Sequence, residues 1–238
     1  VQPIDLGSVM SKHDAVYRDL RKKILDGTYA SRSALESEEV LCKRYEVSRP
    51  TLRKALDALK QDGLIHSRQG SGFFVNPPEF FIENNLTTLS ERYAGQHVSI
   101  ESRVLELENV PAGEMAEQFQ VSETDSLIHY RRLRIVGGKP HALENTYMPL
   151  YLFPGFSEKA LYGSMIHYIE DECGYSISHV NKRISAISAR GDVAELLNVK
   201  AGTPLLQVNH MVYLLRSVLV QSTEEITLDS GITITSVR

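Results

Sequence analysis

The sequence has little of several features that mark particular classes of protein. Two cysteines in 238 residues are too few for a disulfide framework, which indicates a reducing compartment such as the cytoplasm. No apolar run reaches the roughly 18 to 20 residues that a membrane span needs. No basic segment followed by an apolar one opens the chain, as a signal peptide would. We therefore expect a cytoplasmic protein without membrane contact.

The net charge is small overall, but the charges are unevenly distributed along the chain. The formal net charge is only −4, which taken alone argues against a nucleic-acid partner. Residues 12–76 hold 13 Lys and Arg against 9 Asp and Glu, whereas residues 77–238 hold 13 against 20. Such asymmetry favours contact with nucleic acid through the N-terminal part alone.

The N-terminal part has the pattern of three short helices. An apolar residue at every third or fourth position predicts a helix over residues 12–26. Ser37 and Ser48 are good N-caps for a second helix over 37–45 and for a third that ends at Gly63. The second and third helices with the turn between them make a helix-turn-helix, whose last helix docks in the major groove of DNA.

The third helix carries two arginines on the face opposite its leucines. Arg49 and Arg53 are four residues apart, so they share one side of the helix. Arginine can make a paired hydrogen bond to guanine, although a solvated charged face would have the same pattern. Two short strands follow, over 64–67 and 72–75, and Gly70 in the turn between them allows close approach to a DNA backbone.

These segments resemble the winged helix-turn-helix of GntR-family repressors. The resemblance lies in ALESEEVLCKRYEVSRPTLRKAL over 34–56, QDGLI over 61–65 and RQGSGFFV over 68–75. It implies base readers, supporting or phosphate contacts, and a wing tip. The residues that match these roles are, in that order, Arg49 and Arg53; Glu38, Ser48 and Thr51; and Gln69 and Gly70.

Two positions depart from the pattern of this family. Glu36 stands where the family usually has proline, and Glu39 stands where many members have an arginine that contacts DNA. Because a carboxylate repels phosphate, we expect no DNA contact at Glu39 and an altered operator preference.

The remaining chain is predicted to form a linker and a strand-rich body. We expect a disordered terminus over 1–11, a DNA-binding domain over 12–76, a linker over 77–92 and a body over 93–238. A strand near Phe80–Ile82 is a weaker prediction within the linker. The body's predicted strands are 100–108, 126–136, 141–148, 182–189, 204–214 and 218–226, and its predicted helices are 112–119, 158–162, 165–173 and 191–198.

The body contains a weak internal repeat. Residues 113–121 resemble residues 191–199, an offset of 78, and the strands that follow begin with leucines at the same offset. Two strand–helix–strand units predict a pseudo-symmetric α+β domain, although convergence on a common amphipathic helix is the alternative.

Two arginines in the body have the spacing of an anion site. Arg132 and Arg134 lie on one face of a predicted strand, and two guanidinium groups there form a fork for phosphate or carboxylate. Ser164 is a predicted helix N-cap, where backbone amides also bind anions, although it could serve only as a cap. Glu144, on the next strand, could accept hydrogen bonds from hydroxyls or an amine, or could simply pair with an arginine.

The body resembles the UTRA effector domain of the HutC subfamily. The resemblance lies in RRLRIVGGKPHALENTYMP over 131–149, LFPGF over 152–156, LYGS over 161–164 and GTPLL over 202–206. It implies a mixed or antiparallel sheet similar to the chorismate lyase fold. The residues that match the pocket of sugar-phosphate binders are Thr88, Ser90, Arg132, Arg134, Glu144 and Ser164. Ile166, where some such binders have tyrosine, and the divergent ending over 227–238 depart from the pattern.

Together these observations predict a bacterial transcriptional regulator, most simply a repressor. We expect a homodimer that reads a pseudo-palindromic operator in double-stranded DNA and responds to a small anionic effector. The eight histidines form no metal-ligand cluster, and no catalytic residues, metal or cofactor are predicted. The alternatives are an enzyme built on the lyase-like body and a constitutive DNA-binding protein with a decayed effector pocket.

Overall fold

The computed structural model describes residues 11–77, 89–93, 98–214, 217–229 and 231, in two compact units. The predicted strand near Phe80–Ile82 and most of the predicted linker lie outside these residues. The fold combines helices with an antiparallel sheet, so the α+β class is confirmed. No helix in the described ranges is long and apolar enough to cross a membrane.

The N-terminal unit is a three-helix bundle with a two-stranded hairpin. Its elements are α1 (Lys12–Leu25), α2 (Glu38–Tyr45), α3 (Arg49–Gln61), β1 (Ile65–Arg68) and β2 (Gly72–Val75). One apolar core unites them, because every element contributes a buried side chain. Those side chains include Leu20 of α1, Leu41 of α2, Leu52, Leu56 and Leu59 of α3, Ile65 of β1 and Val75 of β2.

Serine caps explain where the helices begin. The hydroxyls of Ser11, Ser37 and Ser48 accept hydrogen bonds from the backbone N–H groups three residues ahead. Ser11, the last residue of the predicted disordered segment, is therefore the N-cap of α1. Gly27 has a φ of +81°, a conformation that ends α1 at little steric cost.

A short helix, α4 (Leu89–Arg92), lies inside the predicted linker. The linker over 77–92 stays a prediction, and these four residues within it are helical. A single turn of helix offers too few positions for an apolar period to be recognised.

The C-terminal unit is a six-stranded antiparallel sheet in the order β3-β4-β5-β8-β7-β6. Its strands are β3 (Ile100–Pro111), β4 (Ser126–Val136), β5 (Lys139–Pro149), β6 (Ile177–Ser188), β7 (Pro204–Leu214) and β8 (Leu219–Thr227). Its helices are α5 (Ala116–Phe119), α6 (Met165–His167), which continues as a π-turn over Tyr168–Glu172, and α7 (Gly191–Leu196). Shorter 3-10 turns lie at Gly113–Met115, Leu150–Leu152 and Glu158–Tyr162.

Two predicted elements of this unit differ from the structure. β6 begins at Ile177 rather than at residue 182, because the first part of an edge strand is exposed on both faces and lacks clear alternation. The predicted helix over 165–173 changes from α to π after one turn, and periodicity does not distinguish the two.

The predicted repeat is visible in the topology. Strands β3, β4 and β5 form one half of the sheet and β6, β7 and β8 the other, and the halves meet where β5 pairs with β8. Gly113 and Gly191 have φ values of +50° and +51°, and Gln120 and Asn198 both have φ of +55°. Both pairs are 78 residues apart, so the two helical connections repeat in backbone detail as well as in sequence.

The sheet places different residues on its two faces. Leu133 of β4 faces α7 and a cluster that contains Leu143, Ala194 and Leu205. The neighbouring residues Arg132 and Arg134 point to the opposite face, towards the segment between β5 and β6. This face carries the candidate anion site.

Candidate functional site

The arginines predicted to read DNA lie at the start of α3 and are exposed. Arg49 follows the N-cap directly, and Arg53 lies one turn further along with 65% of its side chain exposed. The Nε of Arg53 donates to Glu38 Oε2 at 3.1 Å, so the predicted supporting residue holds a predicted base reader. Because both side chains lie at the protein surface, this ion pair orients the guanidinium without burying it.

Ser48 and Thr51 form a small polar group at the same helix end. Ser48 Oγ accepts from the backbone N–H of Thr51 at 3.4 Å and lies 2.9 Å from Thr51 Oγ1. These hydroxyls are exposed or half-buried beside the exposed Arg49. A helix N-terminus with hydroxyls at the surface and a nearby cation has the chemistry of a phosphate contact.

The wing is a tight hairpin with an exposed tip. Ser71 N donates to Arg68 O at 2.9 Å across the turn, and Gly70 has a φ of +74° that a side chain would strain. Gln69 is exposed. The guanidinium of Arg68 stacks over the Phe74 ring at 4.8 Å, which fixes the base of the tip.

The two acidic departures from the family pattern are both paired with cations. Glu36 accepts from Tyr29 Oη at 2.5 Å and from the Arg44 guanidinium. Burial raises the pKa of Glu36, but these hydrogen bonds lower it by more than burial raises it. The net shift is therefore downward. Glu39 accepts from Lys43 Nζ at 2.8 Å, one turn along α2, where both side chains are exposed.

Arg132 and Arg134 form the predicted fork, and both are buried, with 4% of each residue exposed. Arg132 Nε donates to Glu144 Oε2 at 2.5 Å, which is the directly opposite residue on β5. Arg134 Nη1 donates to Ser102 Oγ at 2.8 Å across β3. Both alternatives for Glu144 stay open, because its other oxygen lies 4.0 Å from Arg134 Nε.

Backbone carbonyls complete the surroundings of the fork. Arg132 Nη1 donates to Leu161 O at 2.6 Å and to Gly163 O at 3.0 Å, and Arg134 Nη1 donates to Gly163 O at 3.2 Å. Arg134 Nε is buried and donates no hydrogen bond. The segment over residues 161–163 therefore presents neutral oxygens to two cations, where an anion would bind more strongly.

Burial and the neighbouring charges together give the two guanidinium groups opposite pKa shifts. Burial lowers the pKa of Arg132, but the charge and hydrogen bond of Glu144 raise it more strongly, so its net shift is upward. The pKa of Arg134 is lowered by burial and by the positive charge of Arg132. An added negative charge at this position would stabilise Arg134 in particular.

For the other predicted effector residues, the structure shows fewer contacts. Ser164 Oγ accepts from His167 N at 3.4 Å, so it is a cap as predicted, but the α-helix behind it is only three residues long. Ser90 lies in α4, and Thr88 lies outside the described residues. Their part in an effector site stays a prediction.

Sequence reasoning missed several groups around the fork. Ser102 and the carbonyls of Leu161 and Gly163 contact it, and Tyr130 lies beneath Arg132, 5.7 Å from ring centroid to Cζ. Burial raises the pKa of Tyr130 to about 12. Tyr130 precedes Arg132 by two positions on β4, so strand alternation could have found it, whereas Ser102 requires the strand register.

A second polar cluster lies on the other face of β4, where Arg131 is paired with two carboxylates. Arg131 donates to Glu106 at 3.1 Å and to Asp192 at 2.6 Å. The bond from Arg131 lowers the pKa of Asp192. In the described part of the chain, no group of three or more His, Cys, Asp or Glu side chains is arranged to hold a metal ion.

An exposed helix after a helix-turn-helix, with a wing beside it, is typical of a DNA-binding regulator, and a second unit holds the buried arginine fork. Comparison with known proteins agrees. Residues 12–75 match the model of the gntR family of bacterial regulatory proteins, and residues 95–228 match the UTRA domain. The chain belongs to the GntR family and carries a UTRA domain. It is a transcriptional regulator and not an enzyme.

Two relatives and one solved structure illustrate the similarity. The mannosyl-D-glycerate transport/metabolism system repressor MngR of Escherichia coli K12 is 32% identical and aligns with 82% of this chain and 84% of its own. The HTH-type regulator GmuR of Bacillus subtilis is 27% identical, over 86% and 89%. The crystal structure of YydK from B. subtilis has a TM-score of 0.73 at 22% identity, over 94% of this chain and 99% of that one.

Proposed function

We propose that this protein is a repressor whose affinity for its operator is controlled by a small anionic metabolite, a sugar phosphate or a carboxylate. Several relatives are named as repressors, and one of them, MngR, is named as the repressor of a mannosyl-D-glycerate transport/metabolism system. The observation that carries the proposal is the buried fork of Arg132 and Arg134. Both buried guanidinium groups lie within 4.0 Å of the carboxylate of Glu144, and a pair of buried cations favours an anion beside it.

The remaining predicted residues have roles in the same proposal. Glu144 holds Arg132 and offers its other oxygen to a hydroxyl of the effector, while Ser164, Ser90 and Thr88 are proposed as further contacts. On the DNA side, Arg49 and Arg53 read bases in a pseudo-palindromic operator. Ser48, Thr51 and the wing tip at Gln69 and Gly70 contact the backbone, and Glu38 orients Arg53. The proposal includes a DNA-binding domain over 12–76, a linker over 77–92 and an effector-binding domain over 93–238. It also includes that the protein acts in the bacterial cytoplasm, where the operator lies.

Effector binding would compete with the carbonyls of Leu161 and Gly163. An anion oxygen makes a stronger hydrogen bond to a guanidinium than a neutral carbonyl does, so the anion would displace this segment. The effector changes operator affinity only if its own affinity differs between the conformation that binds DNA and the conformation that does not. Movement of the residues 158–164 is the structural change that we propose for that difference.

The test is induction by a panel of hexose phosphates and small carboxylates. Operator DNA is first selected from a random pool by the full chain, and its release is measured by fluorescence anisotropy. We expect one class of anion to weaken operator binding by about tenfold or more, within the usual range of allosteric coupling. Arg134→Lys should lose most of this response, because lysine cannot reproduce the two-pronged contact of arginine.

Arg131→Ala is the matched control, since Arg131 is on the same strand but faces the opposite side of the sheet. Its response should equal that of the wild type. If Arg134→Lys, folded by circular dichroism, responds as fully as the wild type, the fork is not the site. If no anion of the panel binds the chain by calorimetry or alters operator affinity, the anionic effector is refuted.

A further inference from the structure

The chain leaves the wing at Asn76, directly after the last strand of the N-terminal unit. Val75, the residue before it, is buried and ends β2. Pro77 and Pro78 follow in the sequence, and the ring of proline restricts φ to a narrow range. Because the two prolines are stiff, the contacts of the half-buried Asn76 set the direction in which the predicted linker starts.

Two hydrogen bonds join Asn76 to the end of α3. Its backbone N–H donates to Leu64 O at 2.9 Å, and its side-chain Nδ2 donates to Gly63 O at 2.7 Å. Gly63 and Leu64 are themselves tied to the last turn of α3, because their N–H groups donate to Lys60 O and Leu59 O. The start of the linker and the end of α3 are therefore one hydrogen-bonded piece.

A third hydrogen bond joins Asn76 to the wing. Since Nδ2 faces a carbonyl, which can only accept, the other amide atom, Oδ1, faces His66 Nδ1 at 2.6 Å. Oδ1 is also only an acceptor, so His66 Nδ1 carries the proton and donates it. The ring of His66 stacks on Phe74 with centroids 5.8 Å apart, and Phe74 in turn carries the guanidinium of Arg68 beside the wing tip. Asn76 is thus bonded to both elements on which the proposed DNA contacts lie.

We propose that Asn76 is a positioning residue for operator binding, which fixes the orientation of α3 and the wing relative to the start of the linker. It acts through Gly63 and His66 and not by touching DNA. A dimer with two DNA-binding units gains affinity from the second unit only when both can reach their half-sites at once. A fixed linker origin limits the orientations of each unit, which favours correctly spaced half-sites and penalises others. This inference rests on the proposed reading of two half-sites, but not on the effector.

A purely structural role of the Asn76 amide has a different consequence. If its two side-chain hydrogen bonds only stabilised the end of the wing, their loss would lower the melting temperature without changing how binding depends on half-site spacing. Spacing dependence therefore separates a positioning role from a stabilising one.

The test compares three DNA duplexes with the full chain and without any effector. They are the selected operator, the same operator with one base pair inserted at its centre, and a single half-site. The insertion rotates one half-site by about 35° relative to the other. For the wild type, it should weaken binding by roughly tenfold or more in fluorescence anisotropy, because the second unit no longer reaches its half-site.

Asn76→Ala keeps the backbone bond to Leu64 and loses both side-chain bonds. The same insertion should weaken its operator binding by less than about threefold, because each DNA-binding unit can reorient. Its affinity for the single half-site should stay within about twofold of the wild type, since every proposed DNA contact is present. His66→Phe keeps an aromatic ring on Phe74 and removes only the bond to Asn76, so its insertion penalty should lie between these two.

Tyr17→Phe is the matched control. It removes the hydrogen bond that Tyr17 Oη donates to Asp62 at the same end of α3, and it leaves the three bonds of Asn76 in place. Its insertion penalty should equal that of the wild type, even if its melting temperature by circular dichroism falls as far as that of Asn76→Ala.

The proposal fails if Asn76→Ala shows the full insertion penalty, if Tyr17→Phe reduces the penalty as well, or if Asn76→Ala loses as much affinity for the half-site as for the operator. A full penalty in His66→Phe refutes the connection to the wing. A full penalty in both the wild type and Asn76→Ala overturns the role of Asn76 alone and leaves the reading of two half-sites intact. If the wild type binds the operator no more tightly than the half-site, the proposed reading of two half-sites fails, and this inference fails with it.

Discussion

At the scale of single residues, the same side chain has different roles according to its burial and partners. Arg53 is exposed and held by one carboxylate, so it can exchange that partner for a base at small cost. Arg132 is buried and donates to a carboxylate and two carbonyls, so removing one of its acceptors is costly unless another replaces it. An exposed arginine is suited to a surface ligand, and a buried one to an enclosed ligand.

The cluster of Glu36, Tyr29 and Arg44 predicts a pH-dependent stability. Because hydrogen bonds lower the pKa of Glu36 below its ordinary value, its stabilising effect is full above about pH 4.5 and is lost as the pH falls through the folded pKa. Glu36→Gln should therefore cost about 0.5–1 kcal/mol at pH 7 and almost nothing near pH 2. Urea unfolding at both pH values measures this difference.

Glu39→Gln is the comparison variant, since its ion pair with Lys43 is fully at the surface. It should change stability little at either pH. A destabilisation of Glu36→Gln that is equal at both pH values would contradict the ionic origin of the effect.

At the scale of elements, the two N-caps of the helix-turn-helix allow stability to be separated from recognition. Ser37 and Ser48 each cap a helix with nearly the same geometry, but only Ser48 is proposed to contact DNA. Replacing either by alanine should lower the free energy of unfolding by about 1 kcal/mol. Only Ser48→Ala should also weaken operator binding of the folded protein, measured by anisotropy well below the melting temperature.

Equal operator binding by Ser37→Ala and Ser48→Ala would show that Ser48 acts as a cap alone. The comparison is sharp because both substitutions remove the same atom from the same structural position.

Most elements could be predicted because each has a strong local signal. The serine caps and leucine stripe define α3, and the Gly137–Gly138 pair, with φ values of +56° and +75°, defines the turn between β4 and β5. Two-residue hairpin turns require such conformations, and glycine adopts them readily. The α4 turn and the π-turn after α6 have no comparable signal, since each depends on packing of a few residues.

The candidate site could be predicted only in part for a related reason. Alternation places Arg132 and Arg134 on one face from sequence alone, and Glu144 follows from the short hairpin. Ser102 lies across a bulged pair of strands and the Gly163 carbonyl lies in an irregular segment. Their positions depend on register and loop path, which no short-range pattern encodes.

At the scale of the whole molecule, the uneven charge predicts how binding responds to salt. The counterions released from DNA are those that the N-terminal cations displace, so the salt slope should depend on that unit alone. Arg49→Ala and Arg53→Ala should each cost about 1–3 kcal/mol of operator affinity and relax sequence preference at one position. Titrations at several salt concentrations, with operator and with an unrelated duplex, measure both effects.

Arg131→Ala serves again as the control, because it removes a positive charge from the acidic C-terminal unit. It should leave both the affinity and the salt slope unchanged. A slope that changes as much for Arg131→Ala as for Arg53→Ala would mean that the C-terminal unit also contacts DNA.

The 78-residue repeat also shows that the arginine fork has no counterpart in the second half of the sheet. The two halves meet where β5 pairs with β8, and β4 and β7 occupy equivalent positions in them. Position 210, which corresponds to Arg132, is histidine, and position 212, which corresponds to Arg134, is valine. Of these two equivalent strands, only β4 has the arginine fork. The sheet thus has two equivalent positions for such a pair, and the fork occupies one of them.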